Sequence, residues 1–510
     1  MRNKKISKIA VCVSFVILAG FSSTILAIGK PSKTQIDNFL KGLASAGSTA
    51  CPPAYTQFPN VPTVEYQGLS KLRTSKLIST VPASAIQQEQ TEKTQPYLNL
   101  PLPNGGTLGG YTAPNQDAEL YQIHYASTNA TGASTVLSGL VSLPVNSMDG
   151  GLIVYDHATQ VSQISGAPSA PSGEACMIVT ALAGKNRILA MPDYLGFGVN
   201  NDLHPYPLGP YNAPAGIDII IAARELAQQL RPGETMGTQV FVTGYSEGGG
   251  NSLWLGRELE KPEHVDKRPT LIAPMSGNYD MTGAMAHSLI VPQPLNAITL
   301  VSKPLLLTFT AQAGWELTGA DPYSLIQDKL VQYDQNNPLP IPYAGQIESK
   351  AYMLGLTNVS YKLGYPQKSR NPSVLMQPSL VNDINTTNLT NPVVALWAQS
   401  NNIDWAPKAP VYVTGILQDE IVPFADSSYQ VPTGLGGGKP FFAQGNSQNL
   451  ISAMRSRGLD ASKVAWCAIG AEKVGKARIN HLTGLVPVSI LASRAIETGS
   501  LNSLPMLPDP

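Results

Sequence analysis

The sequence predicts an α/β protein with a mostly parallel, doubly wound sheet and one long insertion. From about residue 150 onward, short apolar strand-like stretches alternate with helix-like stretches, a pattern typical of parallel strands that helices cover on both faces. The alternation stops near residue 280 and resumes near residue 409, which indicates an inserted segment. The chain has 510 residues, of which 43% are hydrophobic, so it can bury a large core.

The individual elements follow in chain order. A hairpin is predicted from strands at 120–125 and 136–143, because the turn-like Asn129-Ala130-Thr131-Gly132 separates them. The later strands are predicted at 151–155, 187–191, 239–243, 271–275, 411–417 and 464–469. The main helices are predicted at 176–183, 215–230, 447–457 and 482–498. We expect the loops after the parallel strands to emerge at one edge of the sheet.

The charge of the chain excludes two classes of protein. Charged residues make up 13% of the sequence, and 34 Lys and Arg side chains balance 34 Asp and Glu side chains, so the formal net charge is zero. Nucleic-acid-binding proteins and polybasic membrane-surface binders both need a concentrated positive field. We therefore expect neither function.

The amino terminus has the layout of a secretory signal. Basic residues in the first eight positions precede an apolar run at 9–26, and Ala27 offers a cleavage position. We therefore predict a signal peptide at 1–27 and a secreted or periplasmic protein, or a membrane-anchored one if the signal is not cleaved. The rest of the chain divides into an N-terminal extension at 28–115, two parts of an α/β core at 116–281 and 409–510, and a cap or lid insertion at 282–408.

The cysteines leave the disulfide pairing open. Cys12 falls within the signal, so Cys51, Cys176 and Cys467 remain for at most one internal disulfide and one free thiol. Their spacing does not show which pair closes. The sequence contains no CxxC motif or Cys/His cluster, so we expect no metal and no other cofactor.

A G-x-S-x-G sequence marks the candidate nucleophile. Gly244-Tyr245-Ser246-Glu247-Gly248 follows an apolar strand and precedes a helical pattern, which is the context that a nucleophile elbow requires. The sharp turn would hold Ser246 in strained backbone geometry and expose its hydroxyl. Glycine is needed on both sides, because a side chain there would collide with the neighbouring strand or helix. A serine hydroxyl also needs a base, and the base needs an orienting carboxylate.

His481 is the predicted base. It lies between the last predicted strand and the last helix, at the sheet edge where Ser246 also lies. Asp419, in the loop after the strand at 411–417, is the predicted carboxylate, and its neighbour Glu420 is the nearest rival. Less well placed carboxylates are Asp404 and Asp426. The order Ser, Asp, His along the chain is that of the α/β-hydrolase fold.

Two backbone N–H groups are predicted to form an oxyanion hole. One belongs to Glu247, at the start of the helix after the nucleophile, where the helix dipole also favours negative charge. The other is expected in the loop after the strand at 151–155, from Ala158 or Thr159. His157 in the same loop is given a structural role, because it would sit on the wrong side of the pocket.

Several segments taken together resemble a known family. They are Tyr125-Ala126-Ser127, Val141-Ser142-Leu143-Pro144, Pro192-Asp193-Tyr194-Leu195-Gly196-Phe197-Gly198, His204-Pro205-Tyr206, Gly244-Tyr245-Ser246-Glu247-Gly248-Gly249, Asp419-Glu420-Ile421-Val422-Pro423 and Asn480-His481-Leu482-Thr483-Gly484. From about Tyr121 to Ile496 the chain resembles the secreted α/β-hydrolase lipases and esterases of the secretory-lipase, or lipase A, type. The resemblance implies an acyl-ester hydrolase with a cap over the site, and it places Ser246, Asp419 and His481 in the catalytic roles.

One departure from the family leaves the substrate size open. Relatives commonly have His-Gly where this chain has His157-Ala158, and the added methyl group narrows the approach of an acyl chain. Asp193 and His204 are given structural roles that brace their loops. The apolar runs at 305–309 and 351–354 suit a cap lining as well as core packing, so lipase and short-chain esterase both stay open.

The sequence therefore predicts a secreted serine hydrolase that cleaves carboxylic esters, acyl or lipid, through a Ser-Asp-His triad and an acyl-enzyme intermediate. Its expected partner is a small-molecule or lipid ester, with contact to a lipid interface if the substrate is a lipid. A serine peptidase or amidase on the same fold is the alternative enzyme. A catalytically inactive hydrolase-fold binding protein is the alternative without activity.

Overall fold

A ten-stranded sheet runs through the middle of the protein. The computed structural model describes residues 51–52, 55, 61–103, 105–163, 167–171, 173–294, 296–338, 346–435, 438–470, 473–474 and 477–510. The predicted signal peptide at 1–27 lies outside the described residues. None of the helices in these ranges combines the length and the apolar character that crossing a membrane requires.

The sheet combines an antiparallel part with a parallel part. Its strands are β1 (Val64–Glu65), β2 (Leu72–Val81), β3 (Ala118–Thr128), β4 (Ser134–Pro144), β5 (Leu152–Asp156), β6 (Ile188–Pro192), β7 (Val240–Tyr245), β8 (Leu271–Met275), β9 (Val411–Ile416) and β10 (Val464–Ile469). Their order is β1-β2-β3-β4-β6-β5-β7-β8-β9-β10. The pairs from β1 to β6 are antiparallel, and all pairs from β6 onward are parallel. The predicted hairpin, β3 with β4, and the predicted parallel strands are confirmed. A separate ribbon of β11 (Lys473–Val474) and β12 (Ala477–Arg478) follows β10.

Helices cover both faces of this sheet. The helices are α1 (Ala83–Thr94), α2 (Gly173–Leu182), α3 (Gly209–Leu230), α4 (Glu247–Leu259), α5 (Ala286–Ile290), α6 (Ala297–Thr318), α7 (Asp328–Gln335), α8 (Gln346–Leu363), α9 (Pro378–Asn385), α10 (Pro392–Gln399), α11 (Asn446–Ser456) and α12 (Leu485–Thr498). Val411 and Val413 of β9 share an apolar cluster with α3, α4 and α11. Tyr412 and Ile416 of the same strand share the opposite cluster with α1, α2 and α12. Both faces are buried, which is why the parallel strands are continuously apolar in the sequence.

The sequence pattern does not predict two elements of the extension, strand β2 and helix α1. Strand β2 pairs antiparallel with β3 and so enlarges the sheet. Its register shifts between Leu72 and Thr74 and again between Leu77 and Ser79. Such irregularities break the strict alternation of inward and outward side chains. The period-two pattern that identifies a half-buried strand is therefore lost.

The insertion is largely helical, although the sequence shows there only that strand-like and helix-like stretches cease to alternate. Residues 281–399, which we call the helical segment, contain helices α5 to α10. Asn296 and Asn391 cap α6 and α10 by accepting backbone N–H groups, and Pro392 occupies the first turn of α10. In the sequence these Asn and Pro residues suggest a loop, but in the structure they begin helices.

The helical segment has an apolar core of its own and rests on the carboxyl edge of the sheet. Its buried side chains pack with one another and with Leu208, Ile421 and Val422, which come from loops that follow parallel strands. Loops after β5, β7, β9 and β10 also meet at this edge. Both the helical segment and the loops of the sheet therefore contribute residues to the space between them.

One disulfide connects the extension to the helical layer of the sheet. Cys51 and Cys176 are bonded, with Cα atoms 5.6 Å apart, and Cys176 lies in α2. Cys467 on β10 is a buried free thiol. The pairing that the sequence leaves open is therefore Cys51 with Cys176.

Candidate active site

Ser246 lies on a sharp turn between β7 and α4. Its backbone has φ 58° and ψ −119°, a positive φ that residues other than glycine seldom adopt. Its N–H donates to the Met275 carbonyl oxygen at 2.9 Å, which fixes the turn to strand β8. A Cβ atom at Gly244 or Gly248 would collide with the Asp156 backbone. The turn therefore has the strained geometry between small residues that the sequence predicts.

The imidazole of His481 links Ser246 to Asp419. Its Nε2 lies 2.8 Å from Ser246 Oγ, and its Nδ1 lies 2.7 Å from Asp419 Oδ2. His481 is 5% exposed and Asp419 is 2% exposed, so water competes little for these contacts. Tyr245 donates its hydroxyl to the His481 carbonyl oxygen, and the two rings stack with their centroids 5.4 Å apart. The structure brings the predicted serine, histidine and aspartate into one hydrogen-bonded chain.

Asp419, and not its neighbour Glu420, contacts the imidazole ring. The second carboxylate oxygen of Asp419, Oδ1, accepts the N–H groups of Ile421 at 2.9 Å and Val422 at 2.8 Å. Glu420 Oε2 accepts only the backbone N–H of His481, at 3.4 Å. The carboxylates that bond to other side chains instead are Asp404 and Asp426. Both oxygens of Asp419 therefore have fixed directions, one toward its loop and one toward the ring.

Burial and nearby charges act on His481 in opposite directions. Burial lowers the pKa of His481, but the Asp419 carboxylate, the hydrogen bond to it and Glu420 together raise that pKa above the usual 6.5. Burial and then the Asp419 charge raise the pKa of the Glu420 carboxyl to about 7. Protonation of the imidazole therefore depends on the charges of both Asp419 and Glu420 in the loop after β9.

The three residues predicted to donate to an oxyanion have different surroundings in the structure. Glu247 is the first residue of α4, so its N–H lies at the open amino end of the helix. The Ala158 N–H donates to Glu174 Oε1 at 2.8 Å. Because that N–H already has a carboxylate acceptor, the structure does not leave it free to bind an oxyanion. Thr159 stays a prediction, and its hydroxyl lies 3.3 Å from the Tyr206 hydroxyl.

Backbone carbonyl groups, and for His204 also the Glu247 carboxylate, hold the neighbouring histidines in place. Both ring nitrogens of His157 lie against backbone carbonyl oxygens, at 2.7 and 3.1 Å. His204 Nδ1 donates to the Leu195 carbonyl at 3.0 Å, and its Nε2 lies 2.6 Å from Glu247 Oε1. The buried Asp193 carboxylate accepts a serine hydroxyl and a backbone N–H. These contacts match the structural roles given to His157, His204 and Asp193.

Sequence reasoning missed three residues around the site, namely Tyr245, Glu174 and Lys303. Tyr245 stands inside the G-x-S-x-G motif next to Ser246, so its position was a usable signal. Glu174 lies on α2 and Lys303 on α6, and no motif in the sequence marks either one. Only the tertiary structure brings these two side chains to the site.

A cleft opens beside Ser246. It encloses about 570 Å³, part of which is open to solvent. The apolar side chains from the helical segment that line it include Met281, Met285, Leu289, Leu306 and Trp397. The apolar run at 305–309 contributes Leu306, whereas residues 351–354 are not among the described lining residues. Within the described part of the chain, no group of three His, Cys, Asp or Glu side chains is arranged to hold a metal ion.

The sheet order, the helical layers and the turn at Ser246 define an α/β-hydrolase fold, and solved structures share it. A provisionally assigned hydrolase from Legionella pneumophila matches with a TM-score of 0.61 and 20% identity over 84% of this chain and 98% of the other. The rice cell wall degrading esterase LipA from Xanthomonas oryzae matches with a TM-score of 0.60 and 19% identity over 86% and 100%. Candida antarctica lipase A matches with a TM-score of 0.51 and 15% identity over 77% and 81%. No protein-family model and no curated protein matches the chain. At these identities the likeness shows the fold.

Proposed function

We propose that the protein is a serine hydrolase that cleaves carboxylic esters through an acyl-enzyme intermediate. The observation that carries the proposal is the buried chain of hydrogen bonds from Ser246 through His481 to Asp419, at 2.8 and 2.7 Å. An esterase from Xanthomonas oryzae and a lipase from Candida antarctica have the same fold, which favours esters over amides as substrates.

In the proposed reaction, neutral His481 donates its Nδ1–H to Asp419 and accepts the hydroxyl proton of Ser246 at Nε2. Ser246 Oγ then bonds to the ester carbonyl carbon, and the Asp419 carboxylate stabilises the imidazolium. The bond to the alcohol oxygen breaks as Nε2 returns the proton to that oxygen. Water, deprotonated at Nε2, next attacks the acyl-enzyme, which releases the carboxylic acid and restores the serine.

The proposed oxyanion hole consists of the N–H groups of Glu247 and Thr159. The Glu247 N–H lies at the amino end of α4, where the helix dipole favours a developing negative charge. A donor of this kind contributes about 3 kcal/mol to lowering the barrier. Ala158 is left out, because its N–H is held by Glu174.

The helical segment is the proposed cap over Ser246. Its apolar side chains line the cleft, so an acyl or alcohol group of low polarity is the favoured substrate. The predicted division into extension, two core parts and insertion stays part of this proposal, as does secretion. The Cys51–Cys176 disulfide supports secretion, because such bonds persist in oxidising compartments.

A panel of substrates tests the proposed function. We expect purified protein to hydrolyse p-nitrophenyl esters and not the matched aminoacyl p-nitroanilides, with a preferred acyl length set by the apolar cleft. The rates across esters of increasing chain length separate a lipase from a short-chain esterase. Faster cleavage of the anilides would indicate a peptidase, and no cleavage of either class by folded protein would favour a binding protein.

A further inference from the structure

Lys303 of the helical segment is buried beneath the loop that carries Asp419. The residue is 1% exposed, and it lies within the first two turns of α6. Its Nζ donates to the Ile421 carbonyl oxygen at 3.2 Å and to Ser288 Oγ at 3.4 Å. It forms no ion pair with any carboxylate of the described residues. The ammonium group also lies 5.6 Å from the centroid of the Phe442 ring. A buried ammonium group surrounded by neutral groups is costly, so its presence calls for a compensating role.

The backbone of Ile421 is held by hydrogen bonds at both its N–H and its carbonyl group. Its N–H donates to Asp419 Oδ1 at 2.9 Å, and its carbonyl oxygen accepts from Lys303. The other oxygen of the same carboxylate contacts the His481 ring at 2.7 Å. A cation from α6 is thus connected, through one residue of the loop, to the carboxylate that orients the imidazole.

The titratable groups around the imidazole come from three elements. The loop after β9 supplies Asp419 and Glu420, which are each 2% exposed, and α6 supplies Lys303. Strand β7 supplies Tyr245. Burial holds the pKa of Tyr245 well above its usual 10, so the hydroxyl stays neutral. Burial outweighs the upward effect of the two carboxylates and lowers the pKa of Lys303 to about 8, so the ammonium form prevails at pH 7. Lys303 is therefore the cation that faces two adjacent carboxyl groups.

We propose that Lys303 is a positioning residue, which holds the loop of Asp419 in place and offsets the negative charge of Asp419 and Glu420 beside His481. The proposal rests on the proposed function only in so far as His481 acts as a base. Ester hydrolysis requires the neutral imidazole, and a nearby cation disfavours the imidazolium form. Lys303 accordingly lowers the pKa of His481 against the upward effect of the two carboxylates.

Removal of the Lys303 charge is expected to change the pKa of His481 in a definite direction. Without the positive charge, the imidazolium is favoured, so the pKa of His481 rises and the acidic limb of the pH profile moves to higher pH. In K303M, which keeps an unbranched side chain, we expect a displacement of at least about half a pH unit. K303R keeps the charge and is expected to stay near the wild-type midpoint. E420Q removes a facing carboxylate and is expected to move the midpoint in the opposite direction.

The direct test is the titration of His481 by NMR in the full chain with ¹³C-labelled histidine. The six histidines make the spectrum simple, and H481Q identifies the resonance. The same variants are assayed for kcat/KM against pH with a p-nitrophenyl ester. A role limited to packing would lower stability or the rate without moving the titration midpoint.

A higher midpoint in K303M with a near-normal midpoint in K303R supports the proposal, and an unchanged midpoint in folded K303M overturns it. If K303M does not fold, K303Q takes its place under the same criterion. If neither folds, E420Q decides, since an unchanged midpoint there contradicts the charge balance. Because NMR does not require turnover, a protein that titrates as expected but cleaves no ester would refute the proposed function and leave the role of Lys303 standing.

Discussion

Replacing Ser246 with alanine is expected to lower kcat for ester hydrolysis by about 10⁴- to 10⁶-fold, because the variant lacks the oxygen that forms the proposed acyl-enzyme. The backbone cost is small: alanine has the same Cβ as serine, so it meets the same strain at φ 58°. Initial rates with a p-nitrophenyl ester and the melting temperature measure the two effects. We expect the melting temperature of S246A to stay close to that of the wild type.

Ser252 provides the matched control for this substitution. It lies on the same helix, α4, and its hydroxyl donates to the Gly249 carbonyl at 3.0 Å. It is buried and is not among the residues that line the cleft. S252A should therefore keep activity within a few-fold of wild type. If S246A retained activity comparable with that of S252A, Ser246 would not be the nucleophile.

The second large effect is expected from D419N, which should lower kcat by about 10⁴-fold, the magnitude known for this change in a serine protease with a Ser-His-Asp triad. The amide oxygen can still accept the N–H groups of Ile421 and Val422, so the loop keeps its hydrogen bonds. The amide nitrogen, however, presents a donor to His481 Nδ1. The imidazole must then carry its proton on Nε2, where it cannot accept the proton of Ser246.

E420Q is the control that separates the two neighbouring carboxylates. Glu420 accepts only the backbone N–H of His481, so loss of its charge should leave kcat at the optimal pH within about tenfold of wild type. Rates are compared at the pH optimum of each variant, because the Glu420 charge also displaces the profile. A larger loss in E420Q than in D419N would show that the wrong carboxylate has been assigned to the histidine.

The sequence is most informative about the candidate site where chemistry and local structure coincide. The elbow at Ser246 is recognisable because strand, glycines and helix follow one another within a few residues. The parallel strands are recognisable because burial on both faces leaves them continuously apolar. His481 and Asp419 follow from the rule that loops after such strands meet at one edge of the sheet.

The sequence predicts much less where distant elements decide the outcome. Asp419 and Glu420 are adjacent, and only the direction of each side chain shows which one contacts the imidazole. The N–H of Ala158 is taken by Glu174, and Lys303 reaches the Asp419 loop from another part of the chain. Strand β2 escapes prediction for a different reason, since its irregular register hides the alternation. Apart from strand β2, the deciding contact in each case joins residues that no local pattern relates.

The most direct measurement for the central claim is labelling of the folded wild-type protein with a fluorophosphonate, followed by mass spectrometry of its peptides. Such reagents phosphonylate a serine that a neighbouring base activates. We expect a single adduct on the peptide that contains Ser246, absent from S246A and formed much more slowly in D419N. An adduct on a different serine, or no adduct on folded protein, would contradict it.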